Sequence, residues 1–218
     1  MIRYHKDLLL THKEIEGKTV LLIHAFSGCM FKCYDCFNYE TMVTSKQLED
    51  LDIEALIAQI KLHSEMIDLL VISGGEYLHA KKEALIFDLT RIKQETQKDI
   101  IVYTTGYYTE KVIMLSELGL VDGYHIDMKL PYHLIDEGDE MIVKKTVGKS
   151  LSKNEIHQLL TSINYVCQND KGLSQVRSVR YPYLDKSAFV ESQRYIEQLN
   201  RIYGKNTPYK VNRFIHLV

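Results

Sequence analysis

Short apolar runs with β-branched members alternate along this chain with segments whose apolar residues recur every three or four positions. Thr19 to Phe26 is the first run and predicts a buried strand. Lys46 to His63 carries Leu48, Leu51, Ile53, Leu56, Ile57 and Ile60, a stripe that predicts a helix. Ile67 to Ser73 predicts a second strand ending on Gly74-Gly75, and Lys81 to Gln97 a helix with Leu85, Ile86, Leu89 and Ile92 on one side. Ile100 to Thr104 is a third strand, Glu110 to Leu118 a helix, and Val121 to Met128 a fourth strand running into Lys129-Leu130-Pro131. Tyr132 to Lys149 is the least legible interval and reads as a helix and a loop. Helices follow at Lys153 to Gln168 and Lys186 to Ile202, with strands at Gln175 to Tyr181 and Tyr209 to Leu217.

Six strands alternating with helices imply an α/β fold with a parallel sheet, because parallel neighbours need a crossover connection. No Pro/Gly/Ser-rich linker and no internal repeat divides the chain, so residues 1–218 read as a single domain. No Gly-x-Gly-x-x-Gly fingerprint follows a strand, and a partial or full barrel fits better than an open dinucleotide-binding sheet. In either architecture the loops at the C-terminal strand ends build the site. The unusual residues fall there: a cysteine loop after the first strand, Gly74-Gly75-Glu76 after the second, Thr104-Thr105-Gly106 after the third, and Asp127 and Lys129 at the fourth. Arg177 lies in the fifth and His216 near the end of the sixth.

Composition narrows this little. Lys plus Arg is 27 against Asp plus Glu 29, a net charge of −2, so no electrostatic case exists for nucleic acid or an anionic membrane as partner. Leu8-Leu9-Leu10 is too short for a signal h-region, and no stretch approaches the roughly 20 apolar residues of a membrane helix. The expected compartment is the cytoplasm. In such a reducing setting the four cysteines do not read as a disulfide framework. Cys167, inside a helical pattern, reads as a buried structural residue.

Cys29, Cys33 and Cys36 share one eight-residue loop with the spacing C-x3-C-x2-C. Several clustered thiolates most often hold an iron–sulfur cluster, and three ligands on a four-iron cluster leave one iron open to bind something else. The competing reading is a structural zinc site, which wants four protein ligands. His24 is the candidate fourth, though it sits within the strand pattern.

The segment Cys29-Met30-Phe31-Lys32-Cys33-Tyr34-Asp35-Cys36 resembles the signature of the radical S-adenosylmethionine superfamily. The resemblance implies a partial (β/α)6 radical-SAM barrel, a [4Fe-4S] cluster on the three cysteines, and S-adenosylmethionine on its open iron. Ser73-Gly74-Gly75-Glu76 is similar to the superfamily's Gly-Gly-Glu-Pro segment, which binds the cofactor's amino group; Tyr77 stands in place of the proline. Asp35 stands where many members carry an aromatic residue. Ser27-Gly28, Phe37-Asn38-Tyr39-Glu40-Thr41, Leu78-His79 and Tyr103-Thr104-Thr105-Gly106-Tyr107 look like segments of the activating enzyme of anaerobic (class III) ribonucleotide reductase. Ile126-Asp127-Met128-Lys129 resembles the Asp-Leu-Lys motif of the pyruvate formate-lyase activating enzyme, implying contact with the cofactor's ribose and carboxylate. By the same resemblance Thr104, Arg177 and His216 take cofactor-binding positions, while Tyr103 replaces the aspartate of those relatives' monovalent-cation site.

The activity so implied is reductive cleavage of S-adenosylmethionine to methionine and a 5′-deoxyadenosyl radical, with no side chain acting as acid or base. The leading expectation for its target is a backbone glycine of a partner, an anaerobic ribonucleoside-triphosphate reductase, with a flavodoxin- or ferredoxin-type protein as electron donor. A compact radical enzyme acting on a small metabolite or peptide is the first alternative, and a zinc-stabilised binding module the second.

Overall fold

The computed structural model describes residues 1–44 and 49–215. The chain forms two compact units: Met1–Met30, Asn38–Thr104 and Met114–Asp122 make the first, and Phe31–Phe37, Thr105–Ile113 and Gly123–Val218 the second.

In the first unit the apolar runs form the expected parallel core. Strand β3 (Val20–Phe26) pairs in parallel with β5 (Leu69–Gly74), with Ala25 opposite Gly74, and β5 pairs in parallel with β6 (Asp99–Thr104). Every residue of β5 is buried, which explains its continuous apolar run without alternation. Three short strands escape the periodicity: β1 (Arg3–His5) and β2 (Leu9–Thr11) both pair antiparallel with β3, and β4 (Asp50–Leu51) with β1. Two or three residues are too few to display a period, and Leu9 and Leu10 are exposed.

Helix α1 runs over Ile53–Leu62, not from Lys46. The Asp52 carboxylate accepts the Ala55 amide at 2.9 Å and caps the helix there, so Leu51, read as part of the apolar stripe, belongs to a strand. Lys46 to Leu48 lie outside the described residues. Helix α2 (Lys82–Thr96) buries Leu85, Leu89 and Ile92, and with them Asp88, whose carboxylate accepts the Tyr4 hydroxyl at 2.6 Å. The Tyr77 hydroxyl lies 3.4 Å from that of Tyr4. Helix α3 (Thr109–Glu117) contributes residues to both units.

The second unit carries three parallel strands, β7 (Gly123–Asp127), β8 (Gln175–Arg180) and β9 (Tyr209–Arg213), in that order. The aperiodic interval after β7 holds 3-10 turns at Tyr132–Leu134 and Glu137–Asp139, then helix α4 (Glu140–Val147). Helix α5 (Lys153–Asn169) starts on a reciprocal cap between Ser152 and Glu155. Helix α6 (Lys186–Tyr203) ends on Gly204. Cys167 is fully buried in α5, as its position suggests; burial first, then Asp170, pushes its thiol up to about 12. The final strand stops at Arg213, short of Leu217, and His216 lies outside the described residues. Among the described residues no helix is long and apolar enough to cross a membrane.

Candidate functional site

The C-terminal ends of β3, β5 and β6 bring one group of candidates together within the first unit. The chain leaves β3 at Phe26, and the Glu76 amide donates to the Gly28 carbonyl at 2.6 Å. A Cβ at Gly75 would stand 2.3 Å from that same carbonyl oxygen, so only glycine lets the two loops meet. The Ser27 hydroxyl donates to the Glu76 carbonyl at 2.8 Å, and the Asn38 amide to the Gly74 carbonyl at 2.8 Å. Asn38 thus ties the chain just beyond the cysteines back to the β5 turn.

Glu76 is only 1% exposed. Its Oε1 accepts the Thr104 hydroxyl at 2.9 Å and the Leu78 amide at 3.3 Å, which caps the short 3-10 turn Tyr77–His79. A carboxylate held by donors on two elements has a fixed direction, the condition for recognising an ammonium group. The Tyr103 hydroxyl donates to Glu14.

Cys29, Cys33 and Cys36 are half-buried, and none forms a disulfide. Among the described residues no three His, Cys, Asp or Glu side chains are already gathered around a metal position. The fit to a cluster rests instead on donor chemistry: three soft thiols on a loop outside regular strand and helix, adjoining a glycine-lined turn. Burial raises the Cys33 thiol above its ordinary value, while nearby Lys129 pulls it down; a metal therefore displaces a proton on binding. Asp35 adopts φ +47°, a left-handed conformation in which Asp is enriched.

The second unit gathers the charged candidates. Asp127 ends β7 opposite Arg177 in the register of β7 and β8. The Lys129 ammonium lies 2.8 Å from Asp127 Oδ2, and Arg177 Nε 3.9 Å from Asp127 Oδ1. Lys129 is 8% exposed, which rules out a solvated charge pair at a strand end. Burial pulls its pKa down, but Asp127, Cys33 and Tyr181 outweigh that and hold the ammonium well above its usual value. Behind this trio His125 is buried against Gln175, whose side-chain nitrogen lies 2.6 Å from His125 Nδ1. Burial first, then Arg177 and Lys210, lowers its pKa to about 2, so the imidazole is neutral.

Two features escaped the sequence reading. Asp88 sits three residues after Leu85 and one before Leu89, so its place on the apolar stripe of α2 was a signal available in the spacing. The aromatic residues around Tyr34, two of them from the segment after β8 and one from after β9, had no such signal, since they meet only in the folded chain.

Residues 15–138 match the family described as "4Fe-4S single cluster domain". No curated protein matches the chain in sequence. Among solved structures, methylornithine synthase (PylB) superposes with a TM-score of 0.61 at 14% identity, covering 90% of this chain and 53% of that one. Native anSMEcpe with bound AdoMet gives a TM-score of 0.56 at 13% identity over 87% of this chain and 50% of that one. A histidine-tagged form of anSMEcpe, also with bound AdoMet, gives 0.55 at 13% over 87% and 49%. This chain therefore spans about half the length of the solved structures it resembles. At these identities the likeness shows the fold, the expected partial radical-SAM barrel.

Proposed function

The chain belongs to the 4Fe-4S single cluster domain family, and from that premise we propose that it is a radical S-adenosylmethionine enzyme that generates a glycyl radical on a partner protein. The observation that carries the reading is the junction at which Gly75 and Glu76, ending one parallel strand, meet Gly28 beside Cys29, ending its neighbour. A cysteine loop and an ammonium-directed carboxylate at adjoining strand ends are what a cluster with one open iron and an amino-acid cofactor need.

Cys29, Cys33 and Cys36 hold the cluster as thiolates, with bound AdoMet in two of the structural relatives pointing to the second ligand. When both are bound, the reduced cluster supplies the electron that cleaves S-adenosylmethionine. Glu76, oriented by Thr104, accepts the cofactor's ammonium. The roles of Asp127 and Lys129 toward the cofactor's ribose and carboxylate rest on the resemblance of Ile126-Asp127-Met128-Lys129; within their own unit the Lys129 ammonium keeps its charge 2.8 Å from Asp127 Oδ2. Burial holds His125 neutral. The partner proposed is a glycyl radical enzyme, an anaerobic ribonucleotide reductase, and the electron donor a flavodoxin- or ferredoxin-type protein; the flanks Ser27-Gly28 and Phe37-Asn38 support this choice by resemblance. Neither nucleic acid nor a membrane has a place in the scheme.

The test is anaerobic incubation of reconstituted protein with S-adenosylmethionine and a low-potential reductant, with and without the reductase. Methionine and 5′-deoxyadenosine form in both cases, and a glycyl signal in electron paramagnetic resonance grows only with the reductase present. The alternative, a small-metabolite enzyme, draws support from methylornithine synthase sharing the fold. Turnover of a metabolite with no partner protein would establish it and remove the activase reading.

A further inference from the structure

The interval between Tyr132 and Lys149 has no assigned role, yet its helix ends against the cysteine loop. The last four carbonyls of an α-helix lack intrahelical partners. Two of those in α4 are taken by the loop: the Lys32 amide donates to Val147 O at 3.1 Å and the Tyr34 amide to Thr146 O at 3.0 Å. These amides flank Cys33 on both sides.

Side chains reinforce the contact. Tyr34, between Cys33 and Cys36, meets Tyr183 edge-on at 5.0 Å and 82°, Tyr181 edge-on at 6.3 Å, and Phe214 at 5.7 Å. The Tyr183 hydroxyl donates to Thr146 Oγ1 at 3.3 Å, and the Thr146 hydroxyl donates to Ile142 O at 2.7 Å, so the ring is fastened to α4. The Lys145 ammonium lies 4.1 Å from the centre of the Tyr183 ring. Gly148, at φ +80°, closes the helix, and a Cβ there would stand 2.3 Å from the Lys32 carbonyl oxygen. Any larger residue would push the loop off the helix end.

We propose that α4 and the aromatic group around Tyr34 form a brace for the metal-binding loop, with Tyr34, Tyr183 and Gly148 acting as positioning residues for Cys33 and Cys36. This rests on the reading of the cysteines as cluster ligands. A short irregular loop does not by itself hold two thiols at a fixed separation; two main-chain hydrogen bonds and an edge-on aromatic contact supply that rigidity. The brace would hold Cys33 and Cys36 in place for a cluster.

The test compares the full-length protein with Tyr34→Ala, Tyr34→Phe and Gly148→Val in two measurements. Amide hydrogen exchange of the cluster-free chain should show the Lys32 and Tyr34 amides protected in the parent and Tyr34→Phe, and unprotected in the other two. After reconstitution, Tyr34→Ala should lose iron to a chelator roughly tenfold faster than the parent, as expected for loss of an aromatic contact, with an altered signal for the reduced cluster; Tyr34→Phe should match the parent. Unprotected amides in the parent, or parent-like iron release and signal in Tyr34→Ala, would overturn the brace. A parent that assembles no four-iron cluster would sink the radical reading instead, and the exchange data would still decide the brace.

Discussion

Thr104 donates its hydroxyl to Oε1 of Glu76 across 2.9 Å, joining the ends of β6 and β5 through two buried side chains. A hydrogen bond to a charged group contributes about 1.5–3 kcal/mol. Thr104→Val removes the donor and keeps the shape. Calorimetric titration should then show S-adenosylmethionine binding weakened roughly tenfold, with four irons still bound. An unchanged Kd would detach Glu76 from cofactor recognition.

Cys33→Ala takes away one of three sulfur donors. The visible charge-transfer absorbance of the cluster should disappear together with formation of 5′-deoxyadenosine. Cleavage that persists in this variant contradicts the ligand assignment.

The pH response of the fold should carry the mark of His125. Its folded pKa, about 2, lies below the usual imidazole value of 6.5, so the unfolded chain takes up the proton first. Its contribution is therefore fully present above 6.5 and is lost as pH falls toward 2, with a slope up to about 1.4 kcal/mol per pH unit. His125→Gln, neutral throughout, should flatten denaturation midpoints from about pH 6.5 down to about pH 5, and an unaltered slope would place the acid sensitivity elsewhere.

Tyr4→Phe deletes the hydroxyl that donates to buried Asp88 at 2.6 Å and neighbours that of Tyr77. The carboxyl left behind lacks that bond, at a cost of about 1–3 kcal/mol. Urea denaturation should register the loss, and Asp88→Asn introduced on top should recover part of it. Because Tyr77 directly follows Glu76, cofactor affinity is expected to fall alongside. Stability equal to the parent would mean that the pair adds nothing.

Much of the framework was readable in order. Runs such as Leu69 to Ser73 are apolar without alternation because both faces are covered, and that pattern survives in a single sequence. The error at α1 has a local cause: Leu48 and Leu51 extend the helical period backwards, but Asp52 offers a capping carboxylate and β1 a strand partner. The short strands at Arg3, Leu9 and Asp50 exist only because β3 and then β1 present edges to pair with, which no local window contains.

The candidate site divides along the same line. The cysteine spacing, the Gly-Gly-Glu turn and the placement of Asp127 and Lys129 at a strand end are properties of covalent order and side-chain type, and the chain alone determined them. The Thr104 bond to Glu76 and the seating of Tyr34 on the end of α4 join residues far apart in the chain. The burial of Lys129 depends on the solvent that packing removes. Such features follow from which surfaces close on one another, so only the tertiary structure decided them.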